Sequence, residues 1–154
     1  MGASANIMSD KKRIIYLTGS FDILHSGHLN VFEFCNSFKC DIVKILIDTD
    51  SRIKERKGDD RPYNNLEDRI RMLKALKCSE TFDIIPIESE EKMLSVFRMA
   101  RSMGSNNLFM IRVLGSDYIG KEIVGKDFFD IVAYVDRDQN STTKLINKIN
   151  RLSE

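Results

Sequence analysis

The chain predicts an α/β fold: a doubly wound, five-stranded parallel sheet with helices on both faces. Three observations carry that expectation. Short apolar runs rich in β-branched residues alternate with segments of helical spacing along almost the whole chain. At 154 residues, 42% of them hydrophobic, the chain is long enough to bury one good core. No internal repeat, low-complexity tract or linker divides it.

The elements follow in order. Residues 14–19 (IIYLTG) are short, apolar and β-branched at the start, as a buried strand should be. Behind His28 the spacing turns helical, with Leu29, Phe32 and Cys35 or Val31, Phe34 and Phe38 on one face. Residues 41–48 (DIVKILID) form a second strand. Residues 65–77 form a helix with Leu66, Ile70, Leu73 and Leu76 on one stripe, and 82–87 (FDIIPI) a third strand. Ser89 caps a helix that runs to about Met103. Residues 107–115 (NLFMIRVLG) read as an unbroken apolar central strand and 130–135 (DIVAYV) as a fifth. A closing helix over 141–152 presents Leu145, Ile149 and Leu152 on one face. This alternation argues for parallel strands covered on both sides, a Rossmann-like arrangement. In such sheets ligands bind beyond the carboxyl ends of the strands, where strand order reverses. Residues 1–12 read as a disordered leader or cloning remnant and 13–154 as a single domain.

Lys and Arg number 24 against 23 Asp and Glu, a net charge of +1, so no global field draws the chain to nucleic acid or an anionic membrane. Any anion site must be local. Cys35, Cys40 and Cys78 match neither a zinc ribbon nor a disulfide framework and read as reduced thiols. The first ten residues lack the basic and apolar segments of a signal peptide, and no apolar run approaches membrane-spanning length. The expectation is a cytoplasmic protein with no membrane and no nucleic-acid partner.

The only two histidines, His25 and His28, fall in one stretch, residues 19–28 (GSFDILHSGH), where the first strand gives way to the first helix. Gly19 permits a tight turn and Gly27 a close approach to the backbone. The helix start offers unpaired N–H groups and a positive dipole end, so phosphate is the natural guest. At i and i+3 the two imidazoles can donate to one side. Two readings compete with this. With Asp22 the pair makes a poor zinc site, and the histidines can equally be loop residues whose hydrogen bonds are satisfied locally.

The same stretch resembles the signature of the nucleotidyltransferase (cytidylyltransferase-like) superfamily, a glycine and a Phe-Asp pair followed by His-x-Gly-His. Here these are Gly19, Phe21, Asp22, His25, Gly27 and His28. Residues 140–146 (NSTTKLI) are similar to the family's Ser-Thr-Thr-x-Ile element, with Ser141, Thr142 and Thr143 at the head of the last helix. Residues 57–70 (KGDDRPYNNLEDRI) and 115–125 (GSDYIGKEIVG) look most like the adenylyltransferases that act on D-glycero-β-D-manno-heptose 1-phosphate. Glycerol-3-phosphate cytidylyltransferases come next. Two positions depart from these patterns: Ser116 stands where the family usually has Gly, and Arg137 lies four residues before Ser141, where the glycerol-phosphate branch has an Arg five residues before its Ser-Thr pair.

The resemblance implies a nucleotidyltransferase domain that moves a nucleoside monophosphate from a nucleoside triphosphate to a sugar phosphate and releases pyrophosphate. ATP and heptose 1-phosphate are the favoured pair, with CTP and glycerol 3-phosphate the alternative. His25 and His28 would hold the α- and β-phosphates, while Ser141 and Thr142 would bind the β- and γ-phosphates, with Thr143 beside them in the nucleotide site. Gly19, Ser20, Phe21, Asp22, Gly27, Arg61, Arg69, Gly115 and Asp117 would surround the nucleotide, with Asp22 orienting the phosphate loop or a nearby basic group and Arg69 pointing into the site. By their place after the second strand, Asp48 and Asp50 either line the acceptor pocket or serve only as turn formers. Mg²⁺ is expected on the phosphates rather than in a protein metal site, and a homodimer is implied.

Residues 49–64 form a long connection that carries Arg52, Lys54, Arg56, Lys57 and Arg61. They read as a mobile basic lid, with Lys57 as the catalytic charge that closes on the triphosphate. Arg71, Lys74 and Lys77 read as a solvated helix face. The competing function class is a nucleotide-binding module without chemistry. Nucleic-acid binding is weak, because aromatics do not interleave with the basic residues.

Overall fold

The computed structural model describes residues 10–104, 106–136 and 151. Strand β1 (Lys12–Gly19) leads through helix α1 (Ser26–Ser37) to β2 (Ile42–Asp48). Helices α2 (Asp50–Lys57) and α3 (Leu66–Lys74) precede β3 (Phe82–Ile87), and α4 (Glu90–Gly104) precedes β4 (Leu108–Gly115) and β5 (Ile131–Val135). The strands form one sheet in the order β3-β2-β1-β4-β5, and every pairing is parallel. The doubly wound α/β expectation holds. From β1 the chain steps outward to β2 and β3, then returns to lay β4 on the other side of β1, so strand order reverses between β1 and β4.

Alternation along β1 sends its side chains into two cores. Ile15 and Leu17 pack with Val43, Ile45 and Ile47 of β2 and with Val31, Phe32 and Leu73 from α1 and α3. Ile14 and Tyr16 point the other way, onto Met93 and Phe97 of α4. The stripe expected on α3 is present, with Leu73 fully buried and Leu66, Ile70 and Leu76 packed beside it. Pro86 sits in β3, an edge strand, where a missing N–H is tolerated. Among the described residues, no helix is long and apolar enough to cross a membrane.

Three expectations change. The basic connection after β2 is a helix for half its length. Thr49 caps α2, its Oγ1 accepting from the Arg52 N–H, and Ile53 anchors it at 1% exposure. Asp50 in the first turn and Lys54, Arg56 and Lys57 in the last suit the helix dipole, and Gly58, at φ 98°, ends it. The segment is thus a packed helix followed by a tethered loop rather than an open connection. Second, α3 stops at Lys74 rather than Lys77, and a short 3₁₀ turn, Ser79–Thr81, leads into β3. Third, β4 is not unbroken in its apolarity: Arg112 lies in its middle at 4% exposure. The closing helix, Arg137, and Ser141, Thr142 and Thr143 lie outside the described residues.

Candidate active site

The two histidines build the start of α1 between them. His25 is the N-cap, with extended backbone at φ −145° and ψ 175°. Its Nδ1 accepts from the Gly27 N–H at 3.1 Å, and His28 Nδ1 accepts in return from the His25 N–H at 3.2 Å. This is a reciprocal capping box with imidazoles in place of the usual hydroxyl and carboxylate. Because each Nδ1 is an acceptor, the proton of each neutral ring sits on Nε2. The ring centroids are 4.0 Å apart. Phe21 supports His28 from 5.5 Å and takes a left-handed φ of 50° to do so. A Cβ on Gly19 would stand 3.3 Å from the Phe21 ring, a close approach that glycine alone leaves relaxed.

Both rings line a cavity of about 400 Å³ at the carboxyl ends of β1, β2 and β4, at the reversal of strand order. Thr18, Gly19, Ser20, Phe21 and Asp22 line it from β1 and the loop that follows. A cationic wall rises from the β2 side. Lys57 donates to Ser20 Oγ at 2.9 Å. Arg61 pairs with Asp22 at 3.1 Å, and Arg52 and Arg56 share Asp48 at 3.0 and 3.3 Å. Lost hydration lowers the Lys57 pKa below that of an ordinary lysine, and the positive charges of Arg61 and Arg56 lower it further.

Asp22 works as a clamp. Its carboxylate also accepts from the Tyr63 and Asn64 N–H groups, each at 2.9 Å, while Asn64 Nδ2 donates to the Asp22 carbonyl at 2.7 Å. The loop over 58–64 is thereby fixed to the phosphate-type loop, and Asp22 orients a basic group.

Arg69 does not point into the cavity. It is fully buried, and its guanidinium donates to the carbonyls of Ser20, Asp48 and Asn64 and to Asp50 Oδ1, at 2.6–3.0 Å. It is a strut that joins the loops after β1 and β2 to the head of α3. Asp50 is held on this strut and, unlike Asp48, does not line the cavity. Nor do Gly115 and Asp117: Gly115 caps the 3₁₀ turn Ser116–Tyr118, and Leu114 and Tyr118 form that wall instead. Gly27 is buried in the first turn of α1, where its N–H serves the cap.

Sequence reasoning missed several lining residues. Glu90 and Met93 come from the first turn of α4, and Glu122, Ile123 and Val124 from the loop beyond Tyr118. Arg112 is the largest omission. Its Nη2 donates to Thr18 Oγ1 at 2.8 Å, and its Cζ lies 5.5 Å from the Phe97 ring centroid and 5.9 Å from that of Phe129. Nε and Nη1 have no hydrogen-bond partner among the described residues. Burial pushes its pKa down to about 10, so the group stays cationic at neutral pH. The legible signal was a charge inside a central strand. Among the described residues, no three His, Cys, Asp or Glu side chains gather as a metal site. The three cysteines are free thiols, and burial raises Cys35 to about 12.

Comparison with known proteins bears on this arrangement. The family model described as Cytidylyltransferase-like matches residues 16–149. The chain is 36% identical over 139 residues to the Bifunctional protein HldE of Campylobacter fetus subsp. fetus (strain 82-40), covering 90% of this chain and 28% of that one. It is 35% identical over 141 residues to the protein of the same name from Aliarcobacter butzleri (strain RM4018), with 90% and 27% covered. The chain thus spans little more than a quarter of the length of these relatives. A crystal structure of a bifunctional NMN adenylyltransferase/ADP ribose pyrophosphatase from Francisella tularensis, complexed with AMP and MN ion, superposes with a TM-score of 0.60. That match is 21% identical and covers 91% of this chain and 42% of that one, a likeness of fold.

Proposed function

The chain belongs to the cytidylyltransferase-like family, and from that premise we propose that it transfers a nucleoside monophosphate from a nucleoside triphosphate to a sugar phosphate. The observation that carries the reading is the histidine capping box on the cavity at the strand reversal. It fixes two Nε2–H imidazoles beside a helix N-terminus, a site suited to a phosphate chain. An oxygen of the acceptor phosphate attacks the α-phosphorus, the bond from that phosphorus to the bridging oxygen breaks, and pyrophosphate departs with the bonding pair. Nucleophile and leaving group are already anionic, so the site's task is alignment and charge stabilisation.

In this reading His25 and His28 donate to the α- and β-phosphate oxygens. Lys57, held at Ser20, supplies charge beside them. Arg52, Arg56 and Arg61 are aimed by Asp48 and Asp22. Ser141 and Thr142 complete the proposal on the β- and γ-phosphates, with Thr143 beside them. Mg²⁺ enters as part of the nucleotide substrate, coordinated by phosphate oxygens. ATP with heptose 1-phosphate is the favoured pair, on the resemblance of residues 57–70 and 115–125 to the heptose adenylyltransferases. A cytoplasmic homodimer completes the proposal, and sedimentation across a concentration series tests the dimer.

The test is pyrophosphate release in Mg²⁺ with each of the four nucleoside triphosphates against a panel of sugar and alditol phosphates. The largest kcat/KM is expected for ATP with heptose 1-phosphate. A larger value for CTP with glycerol 3-phosphate overturns the substrate assignment and leaves the reaction type standing.

A further inference from the structure

The cavity holds two kinds of cation. Arg52, Arg56 and Arg61 each have a carboxylate partner, and Lys57 has the Ser20 hydroxyl; all four rise from the β2 side of β1. Arg112 stands apart from them, on β4, at the other flank of β1. It lines the cavity at 4% exposure, and no described carboxylate lies within ion-pair distance. Its described partners are the Thr18 hydroxyl, the faces of Phe97 and Phe129, and the nearby Tyr118, none of them a carboxylate. A buried guanidinium with five N–H donors and no counter-ion carries an uncompensated desolvation cost. An anion entering the cavity would relieve that cost. Arginine in this setting recognises a planar or tetrahedral oxyanion better than a neutral hydroxyl.

We propose that Arg112, steadied by Thr18, is the anchor for the phosphate group of the acceptor substrate. The proposal rests on the nucleotidyl-transfer reading, in which two anionic, phosphorylated substrates must be brought together against their mutual repulsion. The histidine-capped helix start and the β2-side wall suit the triphosphate, which leaves the β4-side cation for the second phosphate. Glu90 and Glu122 also line this cavity and could accept from acceptor hydroxyls beyond the phosphate. Nothing in the sequence pattern of residues 19–28 or 57–70 assigns this role, because Arg112 lies in neither stretch.

Arg112→Met and Arg112→Lys test it. In Arg112→Met the KM for heptose 1-phosphate should rise about ten- to a hundredfold, the scale of a lost hydrogen bond to a charged group, while the Kd for MgATP measured without acceptor stays within about twofold. The melting temperature should not fall, because an uncompensated buried charge has been removed. Arg112→Lys keeps the charge without the fork and should give an intermediate KM. An unchanged acceptor KM, or an equal loss of MgATP affinity, overturns the proposal. A direct readout needs no variant and no turnover. Inorganic phosphate titrated into the wild-type protein should shift the Arg112 Nε–H resonance, and saturation of the protein by phosphate with that resonance unmoved also overturns it. If the resonance moves and no nucleotide transfer is ever found, the anion site stands and the reaction reading fails.

Discussion

His25 and His28 each use Nδ1 to shape the backbone, and both rings also line the cavity. Their Nδ1 atoms close the start of α1, so the structural reading of the motif and the functional one are both satisfied by the same rings. The sequence showed the pair and its spacing, but the reciprocal cap depends on the extended backbone of His25, which no residue count reveals. His28→Ala should therefore do two things. It should lower kcat by about a hundredfold or more if the ring meets charge that grows in the transition state, and lower stability by about 1 kcal/mol through the lost cap. Steady-state kinetics and urea unfolding read these separately, and a near-normal kcat removes His28 from the chemistry. Lys57 carries a pH prediction. Its protonated form is the useful one, and its pKa lies below the ordinary lysine value. Activity should thus fall, as pH rises, earlier than an ordinary lysine would dictate. Arg56→Gln removes a positive neighbour, favours the protonated amine and should move that alkaline limb of kcat/KM to higher pH, whatever it does to the plateau.

At the scale of elements, strands were easy to read because apolar, β-branched runs leave little choice: residues 82–87 are both the expected run and β3. Helix α2 was not, for a physical reason. Only Ile53 in its eight residues is apolar, so no stripe exists to give a period, and the legible signals were the Thr49 cap, Asp50 at the head and basic residues at the tail. Its amides should be protected from hydrogen exchange without nucleotide, since Ile53 is buried and Asp48 holds Arg52 and Arg56. Exchange at the rate of an unstructured peptide would contradict a packed α2 and favour a mobile lid. Arg69 was legible as a special residue but not in its direction, because its partners are mainly backbone carbonyls. Arg69→Lys keeps the charge and loses the fork. It should cost about 2 kcal/mol or more of stability by orphaning buried carbonyls, seen in denaturant unfolding, while MgATP affinity falls less than in His25 or His28 variants. The reverse order would return Arg69 to the nucleotide site.

At the scale of the molecule, one topological fact places the chemistry. Strand order reverses beside β1, so the loop after β1, the wall raised after β2 and the floor from β4 converge on one cavity although they are far apart in sequence. The alternation of elements made the fold class and the cavity's end of the sheet legible. It did not make the cavity's β4 side legible, since Arg112, Glu90 and Glu122 become neighbours of the motif only after the crossovers close. In the proposed reaction the acceptor attacks at the α-phosphorus. Labelled ATP tests this most directly: with Mg²⁺ and heptose 1-phosphate, label from the α-position should appear in the nucleotide sugar and label from the γ-position in pyrophosphate. Label from the γ-position in the sugar product, or in orthophosphate with the α-label left on a free nucleotide, would overturn attack at the α-phosphorus.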